Sequence, residues 1–435
     1  MSPSITSYLV VAIVAATVTV MTVPLIRAVS VSRGLLVQPD IRKVHSEPTS
    51  QLGGGAMYVG FLVGFAVAWL SGSFDVVFRN STDPFAVLLC ASMSYFVGVS
   101  DDVKGLSAPA KTAGLVLAGS FLPLLGIGII WFRVPFLDLT TLSPDLSYLI
   151  TVVWVLGMAN AVNLTDGLDG LAAGIVGIGA AAFSVFTAVG HRGLILARNV
   201  GPLVAALTVG VCAGFLPWNF HPAKIFMGDG GALFLGSLMA ASTVAVGGQN
   251  PEPFSGQTFF FYAPLAIPVV ILGVPILDTT FAIMRRASRR QGLATADKEH
   301  LHHRLMRLGH GHRRSVGILW TWTALLSGFV LWPVFNEGRG DAVVPAGVAA
   351  LALVLYTSFH PGRRHENGDA ERHGVGRFAR LCPRPASLMR GLPLSVTNQH
   401  PHDGLPGCEG PHIFSKVRRS HAGQQPRSID SQRDC

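Results

Sequence analysis

Long apolar runs separated by short charged islands dominate this sequence. About eleven runs approach the roughly 20 residues that a helix needs to cross the hydrocarbon core of a bilayer. Their approximate bounds are 6–29, 52–71, 84–99, 112–131, 147–162, 171–190, 200–217, 232–247, 258–284, 315–335 and 342–359. Lipid offers no hydrogen bonds, so such segments must pair their backbone groups internally as helices. The sequence therefore predicts an all-α integral membrane protein, a bundle of about 10–11 transmembrane helices.

The composition agrees with a membrane protein. Only 13% of the 435 residues are charged and 50% are hydrophobic, whereas a soluble domain has about 25% charged residues. The net charge of +9 is assigned to loops that face an anionic lipid leaflet and not to nucleic-acid binding. The five cysteines show no CxxC spacing, which argues against a zinc site or a disulfide framework. The first 30 residues lack a basic leader, so we interpret them as a first span and not as a signal peptide.

The chain divides into two predicted regions. Residues 1–359 form the transmembrane domain, and residues 360–435 form a basic tail rich in Arg, His, Pro, Gly and Ser. The tail has no apolar periodicity and cannot bury enough apolar surface to offset its ordering entropy, which predicts a disordered segment. An altered reading frame late in the gene would give the same composition, and the sequence leaves this alternative open.

The loops between the predicted spans form two alternating sets, one on each side of the membrane, and lysine and arginine are concentrated in one set. One set holds most of them, including Arg42, Lys104, Lys224 and Arg285. The positive-inside rule places this set in the cytoplasm, with the N-terminus outside and the tail inside. Every dense cluster of other polar residues falls on the same side. We therefore expect a functional site on the cytoplasmic face of a plasma membrane protein.

The first polar cluster is the acidic pair Asp101–Asp102, which ends a predicted span and is followed by Lys111. Two adjacent carboxylates at a membrane boundary are costly unless a cation compensates them. A divalent metal ion or a lysine would do so, and Lys111 is also able to hold a phosphate. A solvated loop that ends the span is the alternative.

The second cluster carries an amide or an acid at every third position: Asn160, Asn163, Asp166 and Asp169. On a helix this spacing keeps the side chains near one face. Gly167 and Gly170 predict a helix end or a tight turn within the segment. Such a surface suits hydrogen bonds to a sugar, ribose or uracil, with some contact to a metal ion. The alternative is a polar turn between two spans.

The third cluster holds Asn219, Lys224 and Asp229, with two glycines after the acid. An acid followed by glycines at a helix N-terminus lets backbone N–H groups approach a phosphate while the carboxylate binds a cation. Mg²⁺ prefers one or two carboxylates together with phosphate oxygens and water.

The fourth cluster is a run of histidines and arginines, from which we select His300, His302, His303 and Arg304. The same run continues to His310, His312 and Arg313. A zinc site is disfavoured because no cysteine lies nearby and much positive charge surrounds the imidazoles. A cationic lining for a pyrophosphate fits better. The alternative is a basic amphipathic segment at the lipid headgroups.

These four segments, DDVK, NAVNLTDGLDGL, NFHPAKIFMGD and HLHHRL, resemble those of the polyprenyl-phosphate N-acetylhexosamine-1-phosphate transferases, in the same order. The resemblance covers about residues 30–320. It implies a cytoplasmic active site, Mg²⁺ (with Mn²⁺ as a candidate substitute), a UDP-amino-sugar donor and UMP as product. The histidine motif and the earlier RKVH segment resemble the N-acetylglucosamine-1-phosphate branch more than the phospho-N-acetylmuramoyl-pentapeptide branch.

The resemblance, carried over by motif position, implies an expected set of site residues that the residue chemistry above supports. The expected catalytic residues are Asp101, Asp102, Lys111, Asp166 and Asp169. The expected substrate-binding residues are Asn160, Asn163, Asn219, Lys224, His300, His302, His303 and Arg304. The expected metal ligands are Asp229, Asp102 and Asn163. One departure concerns residues 227–232, which read MGDGGA where many relatives read MGDTGS, so two hydroxyl groups are absent.

The resulting hypothesis is transfer of N-acetylglucosamine-1-phosphate from UDP-N-acetylglucosamine to undecaprenyl or decaprenyl phosphate, a first step of cell-wall or surface polysaccharide synthesis. The expected partners are the UDP-amino sugar, the polyprenyl phosphate and membrane lipids, and a homodimer is compatible with the sequence. A pentapeptide transferase is the nearest alternative. A secondary transporter is an alternative of another class, but transporters place charges near the membrane midplane and often repeat their halves. A basic scaffold acting through its tail would explain none of the four clusters.

Overall fold

The computed structural model describes residues 3–37, 49–79, 81–133, 139–189, 199–247, 305–306, 310–335 and 343–359. Several expectations lie outside these described residues. They concern the predicted span 258–284, the residues His300, His302, His303 and Arg304, and the tail 360–435.

The described residues form a helical bundle. Its helices are α1 (Ile5–Ser32), α2 (Gly54–Leu70), α3 (Asp75–Phe78), α4 (Asp83–Lys104), α5 (Ala108–Leu124), α6 (Pro144–Thr165), α7 (Leu171–Val189), α8 (Gly201–Asn219), α9 (Gly228–Gly247), α10 (His312–Phe335) and α11 (Val343–Phe359). Two short antiparallel ribbons join helices: β1 (Leu36–Val37) with β2 (Thr49–Ser50), and β3 (Trp131–Arg133) with β4 (Leu139–Thr141).

Seven of the described helices are long and apolar enough to cross a membrane: α1, α4, α6, α7, α8, α9 and α10. The all-α membrane class is therefore confirmed. Helices α2, α5 and α11, of 17 residues each, coincide with three further predicted spans. The predicted boundaries were less accurate, because α5 ends at Leu124 and not near residue 131, and α9 begins at Gly228 and not at residue 232. The two ribbons were not predicted.

Local sequence signals explain where several helices begin and end. Ser107 and Ser143 each precede a helix, and their hydroxyl oxygens accept hydrogen bonds from the N–H groups of Ala110 and Leu146. These are N-caps of the preferred residue type, each with a proline in the first turn of its helix. Gly105 ends α4 in the left-handed conformation (φ 67°), which glycine adopts at no steric cost. The resulting turn brings the start of α5 back beside the end of α4.

Helix α9 lies at the centre of the described bundle. Its apolar segment is buried along its whole length, and α4, α6, α8 and α2 all pack on it. By contrast, α1 exposes Leu9, Ile13 and Met21, as expected of a helix whose outer face contacts lipid. Burial of α9 on all sides explains its small residues, since glycine and alanine allow helix backbones to approach closely.

The approach of α4 to α9 depends on Gly98. A methyl group added there would lie 2.5 Å from the carbonyl carbon of Asp229 and 2.6 Å from the Cα atom of Gly230. Both atoms belong to backbone that cannot rotate away as a side chain does. The packing of these two helices is therefore incompatible with any side chain at this position.

We expect Gly98→Ala to lower the thermal unfolding temperature of the purified protein in detergent, because overpacking costs about 1–3 kcal/mol. The matched control is Gly157→Ala in α6, where an added methyl group would meet no atom within 4 Å. Since alanine favours helix over glycine by about 1 kcal/mol, the control should melt at the same temperature or higher. Equal melting temperatures for the two variants would contradict the close packing of α4 on α9.

Candidate active site

The polar clusters converge at one end of the bundle. The ends of α4, α6 and α8 meet the starts of α5, α7 and α9 there, and hydrogen bonds or ion pairs connect these segments. The sequence predicted this convergence, because all four polar clusters fall in the set of loops that is rich in lysine and arginine. Assignment of this end to the cytoplasm remains a prediction.

The carboxylate of Asp102 caps the N-terminus of α9. Its Oδ1 accepts a hydrogen bond from the N–H of Asp229 at 2.9 Å, and its Oδ2 accepts one from the N–H of Gly230 at 2.9 Å. The first N–H groups of a helix have no partner within the helix, and a negative charge at that end is favourable. Asp102 therefore fixes the position of Asp229 relative to α4.

Lys111 links two of the acids. Its ammonium group lies 2.9 Å from Oδ2 of Asp101 and also pairs with the carboxylate of Asp229. The other oxygen of Asp101 accepts the N–H of Leu106 at 2.7 Å. The side chains of Asp101 and Lys111 are only 17% and 19% exposed, so their pairing is partly shielded from water. The lysine thus holds Asp101 and Asp229 close together despite their like charges.

Asp166 follows the last residue of α6 and completes the group of acids. Burial, and then the charges of Asp229, Asp102 and Asp169, raise the pKa of its carboxyl group to about 8. We call Asp101, Asp102, Asp166 and Asp229 the acidic cluster. Fully ionised, its four carboxylates would carry four negative charges against the single positive charge of Lys111. Carboxyl groups of raised pKa beside unneutralised acids mark a place where a divalent cation would be favourable.

The segment after α6 forms the predicted turn. The helix ends at Thr165, the N–H of Asp166 bonds to the carbonyl oxygen of Asn163 at 3.1 Å, and Gly170 has a φ of 75°. Among the described residues, the buried amide nitrogen of Asn163 has no hydrogen-bond partner. An unsatisfied buried donor is costly, so this nitrogen fits an acceptor oxygen on a substrate. Asn160 instead donates to the carbonyl oxygen of Leu156 within its own helix at 2.8 Å.

Asn219 connects two loops of the site. Its Oδ1 accepts the N–H of Gly170 at 2.9 Å, and its Nδ2 donates to the carbonyl oxygen of Ile225 at 2.9 Å. The residue is 2% exposed, and these two bonds brace the loops of the site. Its expected contact with substrate stays a prediction. Lys224 is exposed, and its ammonium lies 5.3 Å from the centre of the Trp218 ring, where it remains accessible to an anionic ligand.

Asp169 belongs to a second group. Its Oδ2 lies 2.7 Å from Nδ1 of His221, accepts the N–H of Ala223 at 3.1 Å and lies 3.8 Å from Nε2 of His312. Both histidines stand in motifs recognised in the sequence, yet neither was selected as a site residue. The sequence feature that could have identified them was their position in the polar loops predicted to share one side of the membrane. Sequence separations of 52 and 143 residues from Asp169 concealed the contacts.

We expect Asp166→Asn to stabilise the protein in EDTA increasingly as the pH rises. Asp166 has a pKa of about 8 in the folded chain and about 3.9 when unfolded. Folding therefore takes up a proton between these values, and wild-type stability falls as the pH increases through that window. Asparagine has no such proton. Thermal melts of both proteins should coincide near pH ~4 and separate towards pH ~8, whereas a difference independent of pH would contradict the raised pKa.

Comparison with known proteins agrees with the geometry. The sequence profile of glycosyl transferase family 4 matches residues 84–247, which include all four members of the acidic cluster. The decaprenyl-phosphate N-acetylglucosaminephosphotransferase of Mycolicibacterium smegmatis is 34% identical over 369 residues, covering 83% of this chain and 90% of the relative. The Mycobacterium tuberculosis protein of the same name is 35% identical over 76% of this chain and 85% of its own length.

The pentapeptide branch matches less of the chain. The phospho-N-acetylmuramoyl-pentapeptide-transferase of Mycobacterium avium is 36% identical over 230 residues, which cover 45% of this chain and 63% of that relative. The extent of the first two matches, together with the four motifs in order, decides the family. The chain belongs to glycosyl transferase family 4, among its polyprenyl-phosphate N-acetylhexosamine-1-phosphate transferases.

Proposed function

We propose that this protein transfers N-acetylglucosamine-1-phosphate from UDP-N-acetylglucosamine to a polyprenyl phosphate, releasing UMP. The observation that carries the proposal is the match over 83% of the chain to a decaprenyl-phosphate N-acetylglucosaminephosphotransferase. The acidic cluster with its lysine, at one end of an apolar bundle, supports it. A lipid acceptor whose tail lies among the helices would place its phosphate group at this end of the bundle, beside the acidic cluster.

We propose Mg²⁺ as the cofactor. The residues fit this ion, because the acidic cluster has an excess of negative charge and contains only oxygen donors, which Mg²⁺ prefers. Asp229 and Asp166 would hold the ion, with Asp102 beside them. Each oxygen of Asp102 accepts one backbone N–H and keeps a second lone pair. When bound, Mg²⁺ supplies positive charge that reduces repulsion between two phosphates and stabilises charge in phosphoryl transfer.

The residues of the chain suggest a direct displacement. Polyprenyl phosphate is a phosphate monoester, and the second pKa of a phosphate monoester is about 6, so the acceptor is largely ionised at neutral pH. An acceptor oxygen would attack the β-phosphorus of the donor, form the new P–O bond and expel UMP as the old P–O bond breaks. Lys111 would hold a phosphate oxygen near Asp229, and the amide nitrogen of Asn163 would donate to the donor.

We also propose that this end of the bundle faces the cytoplasm of the plasma membrane. Lysine and arginine concentrate in the loops on the site side, as the positive-inside rule requires. A soluble nucleotide-sugar donor in the cytoplasm would then reach the acidic cluster without crossing the membrane. The described polar residues of the four motifs lie at one end of the bundle, which favours a transferase over a transporter with charges at the midplane.

We expect membranes that carry the protein to move label from sugar-labelled UDP-N-acetylglucosamine into lipid, given decaprenyl or undecaprenyl phosphate and Mg²⁺. Asp229→Asn should reduce this by about 10²–10³-fold, the effect of removing one key electrostatic group from an active site. The matched control is Asp145→Asn, which changes an acid in the first turn of α6, at the helix end away from Asp166.

Added UMP should reverse the labelling. Label from UDP-N-acetylmuramoyl-pentapeptide, with none from UDP-N-acetylglucosamine, would favour the pentapeptide branch. Folded protein that labels no lipid from any UDP-amino sugar would overturn the proposal.

We expect inversion at phosphorus when the donor carries a chiral β-phosphorothioate, because one displacement inverts the centre. A covalent aspartyl intermediate requires two displacements and would restore the configuration. Analysis of the configuration of the lipid product distinguishes the two routes, and retention would exclude direct attack.

A further inference from the structure

Three separate segments bring Asp169, His221 and His312 together, and we call these residues the histidine–aspartate cluster. Asp169 lies in the turn before α7, His221 follows α8, and His312 is the first residue of α10. One ring nitrogen of each histidine and one carboxylate oxygen all lie within 4.8 Å of one another. None of the three lies in the acidic cluster, and the reaction proposed above uses neither histidine.

The carboxylate of Asp169 is buried in a way that implies a further ligand. Its side chain is only 2% exposed. Oδ2 accepts from His221 and from the N–H of Ala223, but Oδ1 is buried and has no hydrogen-bond partner among the described residues. A buried carboxylate oxygen without a partner is unfavourable unless a cation or a donor meets it.

The two imidazoles are held in a common orientation. The rings of His221 and His312 stack with centroids 4.2 Å apart and planes 20° apart. Arg313, beside His312, donates to the carbonyl oxygen of His221 at 3.0 Å, which ties the start of α10 to the loop after α8. The side chain of His312 is 8% exposed, whereas that of His221 is 34% exposed. The cluster is thus fixed on its inner side and accessible from one direction.

We propose that the histidine–aspartate cluster binds a transition-metal ion of the Zn²⁺ class, with Asp169, His221 and His312 as ligands and a fourth position open to solvent. The sequence alone disfavoured zinc within the histidine run, but the packing adds the carboxylate of Asp169 and the ring of His221 to His312, and neither belongs to that run. Two imidazoles and one carboxylate, with a water in the fourth position, form a known zinc donor set. Zn–N and Zn–O bonds of about 2.0–2.1 Å place tetrahedral ligands roughly 3.3 Å apart. The separations of Asp169 Oδ2 from His221 Nδ1 (2.7 Å) and from His312 Nε2 (3.8 Å) bracket this value.

The two clusters select different ions. The acidic cluster has only oxygen donors, which suit Mg²⁺, while imidazole nitrogen favours zinc and its neighbours over Mg²⁺. An ion at the histidine–aspartate cluster would fasten the start of α10 to the loops beside the acidic cluster. Its occupancy therefore stabilises this end of the bundle, and the inference does not depend on the proposed transferase activity.

The test uses the purified full chain in detergent with excess Mg²⁺, and the probe is Co²⁺ alone. We expect one equivalent of Co²⁺ to give a visible d–d absorption of tetrahedral strength, which one equivalent of Zn²⁺ abolishes. His221→Gln and His312→Gln should each lose the band. The rise in melting temperature that Zn²⁺ causes in the wild type should also be absent from both variants.

His302→Gln is the matched control, since it removes a histidine of the HLHHRL motif and should leave the band unchanged. Wild-type protein that gives no tetrahedral Co²⁺ band would overturn the proposal whether or not the variants fold. A band that survives both His221→Gln and His312→Gln, or that only His302→Gln removes, would assign the ion to other ligands and overturn it equally.

Discussion

The contact between the Asp102 carboxylate and the N-terminal amides of α9 determines how the rest of the site is arranged. Helix α9 is buried along its apolar length, so its N–H groups at that end cannot rely on free access to water. Asp102 satisfies two of them and adds a negative charge where the helix dipole favours one. The same contact fixes where the carboxylate of Asp229 lies, because Asp229 donates one of the two hydrogen bonds.

Lys111 then makes a dense group of acids tolerable. Without a cation, the carboxylates of Asp101 and Asp229 would repel each other at close range in a partly buried setting. The lysine reaches both because Gly105 and Ser107 turn the chain sharply between α4 and α5. One lysine does not neutralise the whole acidic cluster. Burial, and then the remaining negative charge, raises the pKa of Asp166. This excess of acidic groups is the physical basis for the divalent cation proposed above.

The sequence predicted the fold class and the location of the site better than the role of each residue. Long apolar runs report transmembrane helices directly, because the bilayer allows little else. Motif spacing predicted that Asp101, Asp166 and Asp229 would share one end of the bundle. It did not predict that the side-chain amide of Asn219 would bond to the backbone of Gly170 and Ile225. Residue type alone does not distinguish an asparagine that contacts substrate from one that braces a loop. Nor did it select His221 and His312, whose meeting with Asp169 depends on the packing of segments far apart in the chain.

The missing hydroxyl groups in the MGDGGA segment become understandable from the packing of α9. An added Cβ atom at Gly230 would lie 2.7 Å from a methyl carbon of Val99 and 3.5 Å from Oδ2 of Asp102, so glycine lets α4 approach closely. Ala232 is fully buried, where a hydroxyl group would need a partner. Asp102 already caps the amides of residues 229 and 230, so the helix N-terminus does not need a hydroxyl from its own first turn. In this chain a carboxylate from α4 therefore stabilises the start of α9, and the glycine at 230 makes room for it.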